Sequence, residues 1–279
     1  MFITYTMNKE EQMKIVSLMP ADIVPGADEN LVVGASYNGD LCGVAICEYD
    51  KWERLYDIRT ILIKDRYKGF GIESCLIDRL LLSIPKPSEI VYSVVSTKEN
   101  MDTITAFKNH KDFITYYDNT AYVISHEERI ESEEYLKILE MPCKADLFFD
   151  CQEYIQNKFI TRMREKGIVY FSEFVKRIPL MCKDLCYAYI RNNEIKSALF
   201  AETCGNGKIE LAYVYADNDV KAFFNVLCMS MKALEKNYPE YELCFIAVNE
   251  ASENIAEKLF PDTFSTYPMF HAVHEEIGL

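Results

Sequence analysis

The sequence predicts a mixed α/β protein (α+β in type) of two tandem domains, each a mostly antiparallel sheet flanked by helices. Three observations carry this prediction. Apolar runs joined by Asn-Gly at 38–39 and Asn-Asn at 192–193 read as strand meanders with tight turns. Each meander is followed by a segment whose apolar residues recur at helical spacing, at 72–80 and at 220–231. The order strand, strand, strand, helix, strand, helix, strand then occurs twice at similar spacing, with little identity between the copies. A chain of 279 residues suits two domains, and 49% apolar residues suffice to give each a core.

In the first half, "FITYTM" reads as a strand and "KEEQMKIVSLM" as a helix with Met13, Ile15 and Val16 on its buried side, ended by Pro20. "NLVVGASY", "LCGVAICEY" and "RLYDIRTILI" make three strands. After a glycine-containing loop, "IESCLIDRLLLSI" places Ile72, Cys75, Leu76, Arg79 and Leu80 at helical spacing. "IVYSVV" is continuously apolar, as a central strand is. "TKENMDTITAFKNH" reads as a helix, and "FITYYDNTAYVIS" as a closing hairpin turning near Asp118-Asn119. The charged, helix-like "EERIESEEYLKILEMP" reads as a connector, which sets domains of 1–126 and 145–279 around a linker at 127–144.

The second half opens with the helix "CQEYIQNKFITRMREKG", stopped by Gly167. "LCYAYIRNNEIKSALFAET" and "GNGKIELAYVYA" supply three strands and two turns. "VKAFFNVLCMSMKALEKN" is a long helix with Val220, Phe223, Phe224, Leu227, Cys228 and Met231 on one face. "LCFIAV", "EASENIAEKLF" and "TYPMFHAVH" follow as strand, helix and strand.

A net charge of −14 argues against a nucleic-acid partner and is compatible with small cationic substrates, or simply with solubility. "MFITYTMNKEEQ" lacks the basic start and long apolar stretch of a secretory signal, and no apolar run approaches the roughly 20 residues of a membrane span. A cytoplasmic protein with no membrane partner is expected. The ten cysteines are scattered, with only a lone CxxxC at Cys182 and Cys186, and read as reduced thiols. His271 and His274 fall in a strand-like stretch, where a three-residue spacing puts their rings on opposite faces. No metal is expected.

The six residues "RYKGFG", Arg66 to Gly71, lie between a strand and a helix. Free backbone N–H groups and the helix dipole favour an anion there, and Gly69 and Gly71 let backbone approach a ligand closely. In isolation the two glycines would mark only a tight turn. The loop is not GxxxxGK followed by Ser or Thr, so a P-loop is disfavoured. The strands before it form a meander rather than a βαβ unit, which disfavours a dinucleotide fold.

Arg-x-x-Gly-x-Gly after the third strand of a meander resembles the GCN5-related N-acetyltransferase (GNAT) family, whose acetyl-CoA signature is Gln/Arg-x-x-Gly-x-Gly/Ala. The resemblance spans residues 1 to about 126 in element order. It implies that backbone amides from Lys68 to Ile72, in a loop of Arg66, Tyr67, Lys68, Gly69, Phe70 and Gly71, bind the pyrophosphate of acetyl-CoA. It also implies that Ile61, Leu62 and Ile63 contact pantetheine and thioester, chiefly through backbone groups of Ile61 and Ile63. Asn100 stands where the family has a pantetheine-contacting Asn, and Phe107 where it has a Tyr that often protonates the leaving thiolate. Phenylalanine cannot do so, which leaves Tyr116, Tyr117 or a water as the acid.

The second half resembles the same family in its "NEASENIAEKLF" helix, but its loop is Asp217-Asn218-Asp219. That loop has no glycine and adds negative charge, while Asp or Asn there is a good N-cap. A degenerate GNAT-like domain that binds no CoA is expected there. For the amine-deprotonating base the candidate is Asp57, which by strand alternation shares a face with Arg59, Ile61 and Ile63. Glu48 and Glu53 are nearby alternatives, and each of the three also reads as a plain surface charge. The expected activity is acetyl-CoA-dependent N-acetyl transfer to a small amine; the alternative is an impaired acyl-CoA-binding sensor. Homodimerisation is left open.

Overall fold

The structure is a computed structural model describing residues 2–19, 26–51, 53–86, 88–172, 174–205, 207–217, 219–261 and 265–275. Pro20, Asn206 and Asn218 lie outside the described residues. The first half runs β1 (Ile3–Thr6), α1 (Lys9–Met13), β2 (Asn30–Tyr37), β3 (Asp40–Asp50), β4 (Leu55–Ile63), α2 (Ile72–Ser83), β5 (Glu89–Val95), α3 (Met101–Asn109) and β6 (Ile114–Ile124). Then come α4 (His126–Glu131), α5 (Glu133–Glu140), β7 (Asp146–Leu147), α6 (Glu153–Glu165), α7 (Val169–Ser172) and α8 (Phe174–Arg177). The chain ends with β8 (Tyr187–Arg191), β9 (Glu194–Gly205), β10 (Lys208–Ala216), α9 (Val220–Asn237), β11 (Glu242–Ala247), α10 (Glu250–Leu259) and β12 (Ser265–Glu275). The Asn-Gly and Asn-Asn turns take the positive φ values that two-residue hairpins need, at Asn38, Gly39, Asn192 and Asn193.

The chain forms two compact units, residues 1–118 with 267–279, and residues 119–266. The boundaries expected at 126 and 144 are therefore displaced, for a reason of strand pairing. In the first unit the strand order is β1-β2-β3-β4-β5-β12-β6, so the C-terminal strand is inserted beside β5. It pairs antiparallel with β5 from Met269↔Val95 to Glu275↔Glu89. Phe270 and Ala272 of β12 are fully buried in the core made by α2, α3 and the sheet. The expected hairpin at 113–125 is instead one extended strand, β6, despite a positive φ at Asn119. The inserted β12 takes the place of the hairpin partner.

The opposite face of the first sheet carries Val32, Val44 and Ile46 against Met7 and Ile15. The helix expected over 9–19 stops at Met13 and resumes as a short 3₁₀ turn. Gln12 and Ile15 face inward, whereas Met13 and Val16 are exposed, contrary to the straight-helix reading. The break after Met13 rotates the following residues out of helical phase.

In the second unit the order is β6-β11-β10-β9-β8-β7, with β11 antiparallel to β6 from Leu243↔Ile124 to Ala247↔Thr120. The segment read as a connector is packed: Tyr135 and Ile138 belong to the core under α9. Arg129 is 0% exposed; it donates to Glu235 at 2.7 Å and to the carbonyls of Tyr241 at 2.6 Å and Pro239 at 2.9 Å. A second core, rich in Phe, lies on the other face of this sheet under α6 to α8. Leu227, Cys228 and Met231 of α9 are buried as expected, but Val220, at the first turn, is exposed.

Candidate active site

β4 and β5 run parallel and pair only at Leu55↔Glu89, Tyr56↔Ile90 and Asp57↔Val91. Beyond these pairs the strands diverge, so Ile58–Ile63 and Tyr92–Val95 edge a wedge whose closed end is at Asp57 and Val91. Strand edges not joined to each other present backbone donors and acceptors to a ligand. The loop 64–71 follows the open end of β4 and leads into α2.

Gly71 is the N-cap of α2 with φ 73°, and no side chain caps the helix. Gly69 has φ 78°, and a Cβ at either glycine would meet nothing within 4 Å. The need for glycine is thus conformational, and the space around the loop is open. Among the described residues the first-turn N–H groups have no side-chain cap, which suits a phosphate at a helix N-terminus. The loop's own cations are engaged: Arg66 meets Asp40 at 3.2 Å and Lys68 meets Asp65 at 2.8 Å. Anion binding there rests on backbone and dipole first, with the cations free to re-pair on contact. These residues fit a pyrophosphate.

The face of the sheet at the closed end follows from register. An extra residue, Arg59, is inserted between the pairs Cys47↔Ile58 and Ile46↔Thr60, a β-bulge. The bulge shifts the alternation. Ile58, Ile61 and Ile63 pack toward α2 and α3, whereas Thr60 and Leu62 pair with Ile46 and Val44 of the opposite face. Asp57 pairs with Glu48 and lies on that opposite face, so the expectation that it shares a face with Ile61 and Ile63 is corrected. Arg59 reaches both carboxylates, at 3.3 Å from Glu48 and 3.7 Å from Asp57. The neighbouring Cys47 thiol is pushed well up, by burial first and then by Asp57 and Glu48.

Across the wedge, Val91 pairs with Asp57, so Ser93 lies on the same face as the two carboxylates. Ser93 Oγ is 2.8 Å from Nδ1 of His271, its antiparallel partner on β12. The Tyr116 ring stacks on His271 at 5.1 Å and 16°. His271 and His274 do lie on opposite faces: His274 Nδ1 donates to the carbonyl of Asp112 at 2.7 Å. Ser93 and His271 were not expected site residues. They meet across 178 residues of chain, and no local pattern signals that pairing.

The other expected residues fall as follows. Tyr117 lies on the α3 face, edge-on to Phe270; a hydrogen bond from Lys108 lowers its phenol below the usual value, against a smaller effect of burial. The two candidate acids, Tyr116 and Tyr117, are thus on opposite faces. Asn100 donates to the Val95 carbonyl at 2.9 Å and to Thr97 at 3.2 Å, holding the turn from β5 into α3. Phe107 is 0% exposed and stacks on Tyr92 at 4.6 Å, so it is a core residue and no ligand contact. Ile72 is likewise buried and offers only its backbone, while Phe70 is exposed and Tyr67 packs edge-on against Phe2.

The second unit repeats the wedge. β10 and β11 pair in parallel only at Lys208↔Glu242, Ile209↔Leu243 and Glu210↔Cys244, and Ala212 forms the matching bulge. The loop differs. Three residues, 217–219, lead from β10 to α9, where eight, 64–71, lead from β4 to α2. Asp219 Oδ1 caps α9 by accepting from Ala222 N at 3.0 Å, and its other oxygen meets Arg191 at 3.1 Å. A carboxylate fills the position a phosphate would need.

No protein-family model matches the sequence, and no curated protein matches it. Solved structures do. The chain is similar to a tandem GNAT protein from the clavulanic acid biosynthesis pathway, at TM-score 0.61 and 10% identity over 100% of both chains. It is similar to a GCN5-related N-acetyltransferase from Sphaerobacter thermophilus, at TM-score 0.56 and 10% identity, covering 100% of this chain and 98% of that one. A third likeness is to the GCN5-related glucosamine N-acetyltransferase region of a fungal multi-domain GH3 β-N-acetylglucosaminidase, at TM-score 0.63 and 10% identity. That match covers 98% of this chain, which spans 38% of the fungal one. Likeness at this identity establishes the fold.

Proposed function

We propose, for a chain that folds as two GNAT units in tandem, that its first unit transfers an acetyl group from acetyl-CoA to the primary amine of a small cationic acceptor. The observation that carries this reading is the wedge between β4 and β5 beside the uncapped, glycine-led N-terminus of α2. In this reading backbone N–H groups of Lys68 to Ile72 hold the pyrophosphate, and Ile61, Leu62 and Ile63 offer the edge along which pantetheine lies. Backbone N–H groups there receive the developing oxyanion. Asp57 and Glu48 meet the acceptor as an ammonium at the closed end. The ammonium gives up one proton, the freed amine nitrogen attacks the thioester carbon and the C–N bond forms. The nitrogen then sheds a second proton as the C–S bond breaks and the sulfur leaves as thiolate, one of the two protons ending on sulfur and the other in solvent.

The second unit, with its shorter, carboxylate-capped loop, is read as binding no CoA. A cytoplasmic site of action is part of the proposal. Among the described residues no helix is long and apolar enough to cross a membrane, and the nine described cysteines are free thiols. Thiol release from acetyl-CoA across a panel of primary amines, including spermidine, tyramine and glucosamine, tests the activity. Saturable turnover with one of them is expected. A second reading, an acyl-CoA-binding sensor, is favoured by one observation: the buried Phe107 leaves no phenol at the family's acid position. Tight acetyl-CoA binding without turnover of any amine would select it.

A further inference from the structure

The closed end of the wedge carries two different lips on one face of the sheet. On the β4 side stand carboxylates already engaged by a cation, Glu48 and Asp57 with Arg59. A carboxylate in that setting is suited to hold an ammonium group beside or in place of the guanidinium. On the β5 side stands an imidazole. Ser93 lies two residues past the last β4–β5 pair and holds His271 Nδ1 at 2.8 Å. Tyr116 fixes the ring plane by stacking. His271 Nε2 is buried and, among the described residues, has no hydrogen-bond partner. A buried ring nitrogen without a partner is costly unless a ligand completes it.

We propose that His271 is the proton acceptor for the attacking amine, which deepens the acetyltransferase reading and rests on it. In this proposal Ser93 Oγ accepts from Nδ1–H, the tautomer that leaves the lone pair on Nε2. The acceptor binds as an ammonium at Asp57 and Glu48. One ammonium proton passes to Nε2, which frees the nitrogen lone pair that then forms the C–N bond. The nitrogen loses its second proton to solvent as the tetrahedral adduct collapses, the C–S bond breaks with its electron pair on sulfur, and the proton on Nε2 passes to the thiolate, so the imidazole is neutral again after each turnover. Labour is divided across the wedge: carboxylates bind the cation, and the imidazole moves the proton. The C-terminal strand thereby supplies a catalytic group to the first unit.

The test uses the full chain, acetyl-CoA and the best amine of the panel. His271→Asn keeps an N–H near the Nδ1 position for Ser93 and removes Nε2. It should lower kcat about 100-fold, within the range for a general base, with the acetyl-CoA Kd unchanged by calorimetry. His271→Ala should regain activity with added imidazoles in the order of their basicity, which filling the cavity alone would not produce. Asp57→Asn should instead raise the KM for the amine, with a smaller effect on kcat than His271→Asn has. A His271→Asn enzyme within threefold of wild-type kcat overturns the inference and leaves the acetyltransferase reading standing. A wild-type chain that binds acetyl-CoA and acetylates no amine overturns both.

Discussion

One inserted residue changes what Asp57 can do. With Arg59 bulged out of register, Asp57 leaves the α2 side of the sheet and joins Glu48 at the closed end of the wedge. Loss of one charge-assisted contact there costs about 1.5–3 kcal/mol, so Asp57→Asn is expected to raise the amine KM roughly 10- to 100-fold, read by steady-state kinetics. Gly71 is the other single-residue control point. A Val at φ 73° is strained, and left-handed backbone alone costs about 1–2 kcal/mol. Gly71→Val should weaken acetyl-CoA binding at least about tenfold by calorimetry, since relieving the strain moves the N–H groups of the α2 first turn. The two positions differ in how they could be read in advance. Gly71 is visible as a motif, whereas the bulge depends on how β3 pairs with β4.

The two corresponding helices, α2 and α9, differ at their N-termini. α2 begins at a glycine with no cap, while α9 begins at Asp219, which caps it. The expected N-cap is therefore found. Elsewhere, charged ties join elements within the second unit. Glu194 of β9 bonds Lys158 of α6 and Lys196 of its own strand, which lowers its carboxyl from 4.5 to about 2. A lowered carboxyl adds stability that is present above pH 4.5 and is lost as pH falls toward 2. Urea unfolding of Glu194→Gln should thus fall below wild type at pH 6, and the gap should shrink as the pH is lowered through that window. Arg129 ties α4 to Glu235 of α9 from a fully buried position. Arg129→Met removes one partner of a buried pair and should cost about 3–5 kcal/mol, measured by denaturant titration.

Each unit borrows a strand from the far side of the chain's midpoint. Residues 267–275 complete the first unit, and residues 119–124 complete the second. Full burial of Phe270 alone contributes about 1.5–3 kcal/mol to the first core. A chain ending at residue 264 should lose acetyl-CoA binding and expose the β5 edge, which invites association. Size-exclusion chromatography and calorimetry would check this; a monomer that binds like the full chain would contradict it. The same exchange makes fragments cut at 126 or 145 poor models of either unit, since each cut removes a strand from its sheet.

Most strands and helices were legible because their signals are local: alternation, helical spacing, Asn-Gly and Asn-Asn turns, and a capping Asp. The candidate loop before α2 was legible for the same reason, since Arg66, Gly69 and Gly71 sit within six residues. What local signals could not carry was pairing between distant segments. "TYPMFHAVH" reads as a strand, but nothing in it says that β5 is its partner, because a strand's edge hydrogen bonds are alike whichever neighbour accepts them. That choice is made by burial of Phe270 and Ala272 against α2 and α3. It places His271 beside Ser93, and with the bulge at Arg59 it gathers the acidic and imidazole lips on one face of the wedge.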